Sequence, residues 1–321
     1  MFVVNIILDI PLRHGYSYLS EQELLRGTRV QVELRGRAQV GFVLNCMDSA
    51  EFNEYPLAKL KPILSISTDN LSIPNDVWEL CNFAANYYHH PLGNSLFCAI
   101  PTLLRKTTEP TANFNQTKFY QLINHEAKLR GSKQLNLFTE FQHTAILSYK
   151  QIQVILAAKP DKLIAQWIEK QIIYETPAPS AASVTQALTL NEEQQLVVTA
   201  IASNFNTFHV GLLYGITGSG KTEVFLHLIQ RILHQQQQVL VIVPEINLTP
   251  QLQSRFEQRF PAAKISLINS EIAEKARFHA WMAAKSGQSN IILGTRLSVF
   301  TPLYNVGLII VDEEHDDSLK Q

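Results

Sequence analysis

One glycine-rich stretch contains the first group of residues that could bind or transform a ligand. It is Gly215-Ile216-Thr217-Gly218-Ser219-Gly220-Lys221-Thr222. A glycine, four further residues and then Gly-Lys-Thr form the pattern that cradles the phosphates of a nucleoside triphosphate. Glycines let backbone N–H groups approach the phosphates, and the N-terminus of a following helix adds partial positive charge. We therefore expect Lys221 to reach the β- and γ-phosphates and the Thr222 hydroxyl to bind Mg²⁺.

The flanking residues must hold this loop between a strand and a helix. Residues 210–214 form a short apolar run that predicts a strand, and the spacing of apolar residues over 223–233 predicts a helix. The alternative is a glycine-rich turn that matches the pattern by chance. The predicted strand and helix argue against it.

A second group of reactive residues follows the apolar run 308–311, namely Asp312-Glu313-Glu314-His315. Acidic residues at the carboxyl end of a buried parallel strand lie on the sheet edge where a phosphate loop also opens. We expect Asp312 to bind Mg²⁺ and Glu313 to orient and deprotonate the attacking water. Taken alone, such a tetrad indicates a solvated strand end, but its combination with the phosphate loop favours catalysis.

Three polar groups accompany these two motifs. Asn191, Gln194 and Gln195 open a helix before the loop, where the amide of Gln194 could read adenine or could simply begin the helix. Thr249 and the pair Thr295 and Arg296 follow two further predicted strands on the same sheet edge. Hydroxyls and guanidinium groups in such loops hold the phosphates of single-stranded nucleic acid.

Length and composition set the frame for these motifs. The 321 residues are enough for two or three domains, and a formal net charge of −1 indicates no global basic field, so any nucleic-acid contact must be local. Three widely spaced cysteines suggest buried thiols in a reducing compartment and no zinc site. With neither a signal peptide nor a long apolar run, we expect a cytoplasmic protein without a membrane span.

The chain changes character three times along its length. Residues 2–66 hold five short apolar runs separated by turns, which predict a small β-barrel or sandwich, and a helix with a further apolar run follows up to residue 104. Arg35-Gly36-Arg37 predicts a hairpin tip that either contacts phosphate or is a solvated turn. From residue 188 onwards, helices alternate with apolar strands over 211–214, 239–243, 264–268, 291–293 and 308–311, as in an α/β fold with a parallel sheet.

Between these parts lies a region of less distinct pattern. Residues 120–129 suggest a helix, and helices over 140–149, 151–158 and 162–170 with a strand over 171–174 predict a winged-helix domain. Residues 106–175 hold nine basic and six acidic residues, which permits either a DNA contact or a spacer role. Residues 176–187 have the composition of a linker. The predicted domains are therefore 1–105, 106–175 and 188–321, with 176–187 as the linker.

At these motifs the chain resembles superfamily 2 helicases, and more narrowly the PriA family of bacterial replication restart helicases. The resemblance rests on five segments: Leu190-Asn191 with Glu193-Gln194, the phosphate loop, residues 243–251, Gly294-Thr295-Arg296, and Asp312-Glu313-Glu314-His315-Asp316. It implies a RecA-like lobe that uses ATP and Mg²⁺, and a 3′–5′ DNA helicase acting at stalled forks. Residues 87–101 are also similar to the family segment that follows its barrel.

The resemblance further implies that the N-terminal barrel binds the 3′ end of a DNA strand. The matching positions are Tyr16, Ser17, Tyr18 and Lys61, and Ser17 replaces an acidic residue that could bond a terminal hydroxyl. We expect stacking by Tyr16 or Tyr18, and we add Arg37 at the hairpin to the DNA-contacting residues.

The family pattern continues beyond Gln321 into a zinc module, a second RecA-like lobe and a C-terminal domain. The resemblance thus implies a truncated lobe that binds DNA forks and Mg-ATP but does not unwind DNA alone, with zinc expected only in the missing part. Single-stranded-DNA-binding protein, other primosome proteins and an association with the nucleoid are implied in the same way. The alternatives are a non-catalytic fork-binding module and a small-molecule P-loop kinase.

Overall fold

The computed structural model describes residues 1–12, 14–68, 71–110, 119–125, 127, 129, 131–144, 146–176, 188–216, 218–244 and 248–319. The predicted linker, except for Thr176, and the loop residues Thr217 and 245–247 lie outside the described residues. The chain divides into two compact units. The first comprises residues 1–112, 190–256 and 264–321, and the second comprises residues 113–189 and 257–263.

The first unit begins with a five-stranded sheet, here called the N-terminal sheet, in the order β2-β1-β4-β3-β5. Every neighbouring pair is antiparallel. Its strands are β1 Phe2–Leu8, β2 Tyr16–Ser20, β3 Arg29–Leu34, β4 Arg37–Asp48 and β5 Ser65–Ile66. The last predicted run, 60–66, is a strand over only two residues, because Pro62 has no N–H to donate.

The hairpin between β3 and β4 turns at Arg35 and Gly36, as the sequence predicts. Both residues have positive φ, 51° and 77°, the combination of a type I′ turn, and this conformation explains the glycine at the second position. The two edges of the sheet are also linked, since the Leu19 N–H donates to Lys61 O at 2.9 Å and the Ile63 N–H donates to Leu19 O at 3.0 Å. Lys61 is therefore held beside β2.

Two helices pack beside this sheet, α1 Asn75–Tyr87 and α2 Leu92–Ala99, followed by a 3-10 helix at Thr102–Arg105. One face of α1 buries Val77, Trp78, Cys81 and Ala85 at helical spacing. Burial raises the pKa of the Cys81 thiol to about 12, which keeps it protonated. Cys98 is exposed, so the expectation of three buried thiols is wrong for that residue.

The second unit contains β6 Phe119–Leu122, α3 Ser132–Thr144, β7 Ile146–Ser148, α4 Tyr149–Leu156, α5 Asp161–Glu169 and β8 Ile173–Thr176. The strands form an antiparallel sheet in the order β7-β6-β8. The helix suggested for 120–129 is wrong, because Tyr120 and Leu122 alternate into the buried core and their strand pairs on both sides. The first of the three predicted helices also begins earlier than expected and ends before Tyr149.

The rest of the first unit alternates helices with a parallel sheet in the order β10-β11-β9-β12. The strands β9 and β11 are buried on both faces, which explains their continuous apolar sequence. The elements are α6 Glu192–Ala202, α7 Lys221–His234, β9 Gln238–Ile242, α8 Pro250–Arg259, β10 Ile265–Ile268, α9 Glu274–Lys285, β11 Ile291–Gly294, a 3-10 helix Arg296–Phe300 and β12 Val306–Val311. Residues 257–259 of α8 are assigned to the second unit.

The predicted strand over 211–214 does not form. The described part of the parallel sheet ends at β12, and Phe208, Val210, Leu212, Tyr214 and Ile216 are between 77% and 96% exposed. Among the described residues of this segment, Leu213 packs against a cluster that includes Val198, Val224 and Leu228. The apolar sequence is typical of a strand buried on both faces, but five of its apolar side chains are exposed in the structure.

Among the described residues, no helix combines the length and the apolar character needed to cross a bilayer.

Candidate nucleotide and DNA sites

The phosphate loop ends at the first residue of α7. Gly218 and Gly220 have φ of 82° and 84°, a backbone conformation that glycine adopts without strain, and Gly220 is the N-cap of the helix. Lys221 and Thr222 therefore stand in the first turn, where free N–H groups and the helix dipole favour an anion. The loop residues Gly215, Ile216 and Ser219 are described as well.

The ammonium of Lys221 folds back into the loop. Its Nζ donates to the carbonyls of Gly215 at 2.7 Å and Ile216 at 3.2 Å. In this arrangement the cation occupies the space enclosed by the loop, and phosphate oxygens would compete with the two carbonyls for it. A triphosphate offers charged acceptors, which form stronger hydrogen bonds than neutral carbonyls.

Gln194 lies against the loop, but its amide is engaged within the protein. Asn191 and Gln194 form a capping box at the start of α6, and the Gln194 Nε2 donates to Ser219 O at 3.1 Å. The residue therefore reaches the loop. In this conformation its amide bonds both the helix start and the loop and is not free to read a base.

Asp312 directly follows β12, and its N–H donates to Ile242 O at 2.9 Å, which fixes it at the carboxyl edge of the sheet. Burial raises the pKa of Asp312, while the Glu313 N–H at 3.0 Å and the positive charge of Lys221 oppose that shift. Burial disfavours the ionised form of the Asp312 carboxylate, and a bound cation would stabilise that form. Carboxylate and hydroxyl oxygens are ligands that Mg²⁺ prefers, so Asp312 and Thr222 fit the ion.

Glu313 has a left-handed backbone, with φ of 50°, and its Oε2 lies 3.4 Å from the Nε2 of His315. A positive φ is costly for a residue with a side chain and turns the chain sharply after the strand. The chain therefore turns at Glu313, and the Glu313 carboxylate lies beside His315 in this conformation.

In this conformation, Thr249, Thr295 and Arg296 make contacts within the protein. The Thr249 hydroxyl accepts from the Leu252 N–H at 3.3 Å and so caps α8. Thr295 is buried at the start of the 3-10 helix, which leaves its side chain little access to a ligand. Arg296 donates from Nη1 to Ser318 O at 3.0 Å and so ties its loop to the segment after the acidic tetrad.

Two of the predicted DNA-end residues, Tyr18 and Lys61, contact a residue that sequence reasoning missed, Glu33. The carboxylate of Glu33 on β3 accepts from the Lys61 Nζ at 2.6 Å. This contact lowers the pKa of Glu33, so the group is ionised near neutrality. Lys61 and Glu33 are both partly exposed, and Arg37 is exposed on the adjoining hairpin.

The two tyrosines of β2 differ in their surroundings. Tyr18 is 4% exposed in the core of the N-terminal sheet, and its hydroxyl donates to Glu33 O at 3.0 Å, so a stacking surface at Tyr18 is absent from this structure. Burial raises its pKa. Tyr16 and Ser17 are half-buried and retain some access to solvent.

A sequence signal for Glu33 was present but weak. It is the one acid in the run from Arg29 to Arg37, a setting in which a carboxylate would stand among cations. Its pairing with Lys61, 28 positions away, depends on the contact of β2 with the segment before β5. No local pattern predicts that contact.

Two family models match the chain. Residues 5–101 match the 3′DNA-binding domain of PriA, and residues 187–320 match the type III restriction enzyme res subunit model. The first covers the N-terminal sheet with α1 and α2, and the second covers the phosphate loop, Asp312 and Glu313. The boundaries of the two matches separate the two candidate sites described above.

The chain is also similar over nearly its whole length to replication restart proteins PriA. The protein of Haemophilus influenzae is 34% identical over all of this chain and 45% of its own length. That of Chlamydia pneumoniae is 27% identical over 99% of this chain and 43% of its own length, and that of Rickettsia prowazekii is 28% identical over all of this chain and 38% of its own length. The chain spans less than half the length of these curated relatives.

Proposed function

Because this chain belongs to the PriA replication restart family, whose N-terminal part it matches, we propose that it binds Mg-ATP at its helicase lobe and DNA 3′ ends at its N-terminal sheet. The observation that carries the first half is the position of Lys221 in a glycine loop beside Asp312. Helicases of this kind use ATP and Mg²⁺ in general. The match to the PriA 3′DNA-binding domain supports DNA as the second ligand.

In the lobe, Lys221 would exchange its two carbonyl acceptors for phosphate oxygens. Thr222 and Asp312 would hold the Mg²⁺, which neutralises charge on the phosphates, and Glu313 would orient the attacking water. Gly215, Ile216, Thr217, Gly218, Ser219 and Gly220 would supply the backbone cradle, with Gln194 holding its far side through Ser219. Thr249, Thr295 and Arg296 would line the path of a single strand after a local rearrangement.

In the N-terminal domain, which we take to be a small barrel over residues 1–105, Tyr16 would stack on the terminal base. The Glu33 carboxylate would accept a hydrogen bond from the terminal sugar hydroxyl, and Lys61 would balance its charge. Tyr18 would position Glu33 through the hydrogen bond to its carbonyl. Ser17 and Arg37 would contact the sugar and the phosphates nearby.

The remaining assignments rest on fold and composition. Residues 106–175 would form a winged helix, supported by three helices and a three-stranded antiparallel sheet, and 176–187 would be the linker to a RecA-like lobe at 188–321. We propose a site of action at replication forks in the bacterial cytoplasm and nucleoid. Primosome proteins and single-stranded-DNA-binding protein are the partners that the family implies, and zinc belongs to no site in our proposal.

A second candidate function is DNA binding with little or no ATP turnover. It is favoured by the segment 208–216, which is not hydrogen-bonded into the described sheet, so the loop lacks firm support on its N-terminal side. We therefore propose weak hydrolysis for the chain itself, and we treat 3′–5′ unwinding as an activity of the family.

The test compares the chain with its Lys221→Ala variant on two substrates. Mg-ATP binding is measured by a fluorescent ATP analogue, and DNA binding is measured on a fork with a 3′ end at the junction and on plain duplex. We expect tight Mg-dependent nucleotide binding that the variant loses, and a preference for the fork that the variant keeps. Rapid unwinding that the variant abolishes would contradict weak turnover, and equal affinity for fork and duplex would contradict end recognition.

A small-molecule kinase would show itself in the same preparation. Phosphoryl transfer from ATP to nucleosides or metabolites, without any effect of DNA, would contradict the proposal.

A further inference from the structure

Two arginines of the first unit, Arg105 and Arg277, lie close together with no acidic partner among the described residues. Arg105 ends the 3-10 helix Thr102–Arg105, which packs against α9, and Arg277 stands in the first turn of α9. Both side chains are half-buried. Withdrawing cations from water without a counter-ion is unfavourable, so the pair suggests a binding site for an anion.

The hydrogen-bond donors of the two guanidinium groups are largely unused. The Arg105 Nη2 donates to Ile100 O at 3.3 Å, a long contact, and the Arg105 Nε is buried without an acceptor in the described part of the chain. The Arg277 side chain makes no hydrogen bond or ion pair with a described residue. Each guanidinium carries five N–H donors, and such donors form their strongest hydrogen bonds with charged oxygens.

The electrostatic surroundings show the cost of this arrangement. Burial lowers the pKa of Arg277 and the positive charge of Arg105 lowers it further, whereas the thiol of Cys98, if ionised, would raise it. A guanidinium nevertheless keeps its proton near neutrality, so two positive charges face each other here. A bound anion would remove their repulsion.

The acidic side chains of the same segments do not neutralise the two arginines. Glu274 lies 3.1 Å from the Lys106 Nζ, and Glu109 lies 3.7 Å from the Arg29 Nη1. Glu271, in the loop before α9, is exposed and forms no ion pair with a described residue. The arginine pair therefore keeps its charge.

The position of the pair favours a DNA phosphate over an acidic peptide. The parallel strands β10 and β11 end together at Ile268 and Gly294, and the Thr295 N–H donates to Ile268 O at 3.2 Å. The loop that leads from β10 into α9 thus adjoins the turn where we propose that a single strand is held. A backbone that follows this sheet edge beyond β11 meets the first turn of α9.

We propose that Arg105 and Arg277 together bind one phosphate of single-stranded DNA, here called the Arg105–Arg277 site. It extends the strand path from Thr295 and Arg296 to the 3-10 helix that follows the N-terminal sheet. The proposal rests on the DNA binding proposed above and adds a backbone contact to it. Such a contact positions the strand without reading its sequence.

The experiment measures affinity at several salt concentrations for two labelled strands of equal length, oligo(dT) and a fully abasic strand. Arg277→Gln should weaken both about tenfold at low salt, because the contact is with phosphate and not with a base. The slope of log affinity against log salt should shrink by about 0.7, the value for one phosphate of a single strand. Arg105→Gln should act in the same direction, and Arg277→Lys should recover part of the affinity.

Thermal unfolding without DNA separates this role from a structural one. Because the described chain gives Arg277 no partner, Arg277→Gln should leave Tm unchanged or raise it. A clear fall in Tm would show that Arg277 is bonded within the protein and would overturn the site. The matched control is Arg231→Gln, another half-buried arginine, in the last turn of α7 and so at the opposite edge of the sheet, which should leave both affinities unchanged.

Cys98 supplies a local readout, because its thiol is exposed beside Arg277. Saturating oligo(dT) should slow the alkylation of Cys98 by iodoacetamide, followed by mass spectrometry, and should slow it much less in Arg105→Gln/Arg277→Gln. Unchanged alkylation of the unsubstituted chain, or equal affinities for that chain and Arg277→Gln, would overturn the Arg105–Arg277 site alone. An oligoglutamate peptide that binds through Arg277 where oligo(dT) does not would identify an acidic peptide as the ligand and refute a DNA phosphate. If the unsubstituted chain binds neither strand, the proposed DNA function fails, and the site fails with it.

Discussion

The two proposed ligand sites of this chain are built in opposite ways. The Glu33–Lys61 site stands on strands that are all paired, with its two edges joined through Leu19. The nucleotide site stands on α7 on one side and on the unpaired segment 208–216 on the other. The comparison suggests that the DNA-end site is formed before its ligand arrives, whereas the nucleotide site is completed by its ligand.

The largest loss of stability should follow from replacing Arg29, which supports the strand that carries Glu33. Arg29 is fully buried on β3, where its guanidinium donates to Leu104 O at 3.0 Å, Ser67 Oγ at 2.6 Å and Lys106 O. Arg29→Met leaves these buried acceptors without a donor and should lower the free energy of unfolding by about 3 kcal/mol. Urea unfolding measures the change.

The matched control is Arg26→Met, because in the described part of the chain Arg26 forms an exposed ion pair with Glu79 and a contact with Asn75. It should cost less than about 1 kcal/mol. Equal losses for the two variants would contradict the view that Arg29 holds the segment after α2 against the N-terminal sheet.

Loss of nucleotide binding should leave DNA-end binding unchanged. Lys221→Ala removes the cation that the loop encloses, and Mg-ATP affinity should fall about 100-fold, a loss of about 2.7 kcal/mol. Affinity for 3′-ended DNA should not change. The exposed Lys275→Ala serves as control, and a loss of DNA binding in Lys221→Ala would show that the two sites are not independent.

A smaller effect should follow from removing the link between α6 and the loop. Gln194→Ala breaks both the capping box and the hydrogen bond to Ser219 O, and should lower the free energy of unfolding by about 1 kcal/mol and weaken Mg-ATP binding severalfold. The neighbouring Gln195→Ala is the control for helix propensity. If Gln194 acted only through adenine, GTP binding by Gln194→Ala would equal that of the unsubstituted chain.

The smallest effect concerns the chemistry of the DNA end. Glu33→Gln releases Lys61, so affinity for strands with a 3′ phosphate should rise about threefold while the preference for a 3′ hydroxyl shrinks. Lys61 holds the pKa of Glu33 below its ordinary range, so the difference between the two chains should persist at neutral pH and vanish only when acid protonates Glu33. Glu51→Gln is the exposed control, and an unchanged end preference in Glu33→Gln would rule out the carboxylate as acceptor.

Sequence patterns predicted those parts of the fold that depend on local order. The strands β9 to β12, the helix α7 and the Arg35-Gly36 turn follow from apolar spacing and from glycine, and Asp312 lies at the carboxyl edge of the sheet because it directly follows β12. The errors concern pairing at a distance. Residues 119–122 form a strand because they pair with β7 and β8. Residues 211–214 are apolar but lie outside the described parallel sheet.

The candidate sites show the same limit. Motif spacing predicts roles for Lys221, Thr222 and Asp312, and these roles stay predictions. It could not show that Tyr18 points into the core or that Glu33 contacts Lys61, because both depend on how the sheet edges meet.

The most direct test of this contrast is hydrogen exchange of the chain with and without Mg-ATP. We predict that the amides of 208–216 exchange rapidly in the free chain and become protected when Mg-ATP binds, while β1 to β4 are protected in both states. Protection of 208–216 in the free chain equal to that of β9, or no change on nucleotide binding, would contradict a nucleotide site that its ligand completes.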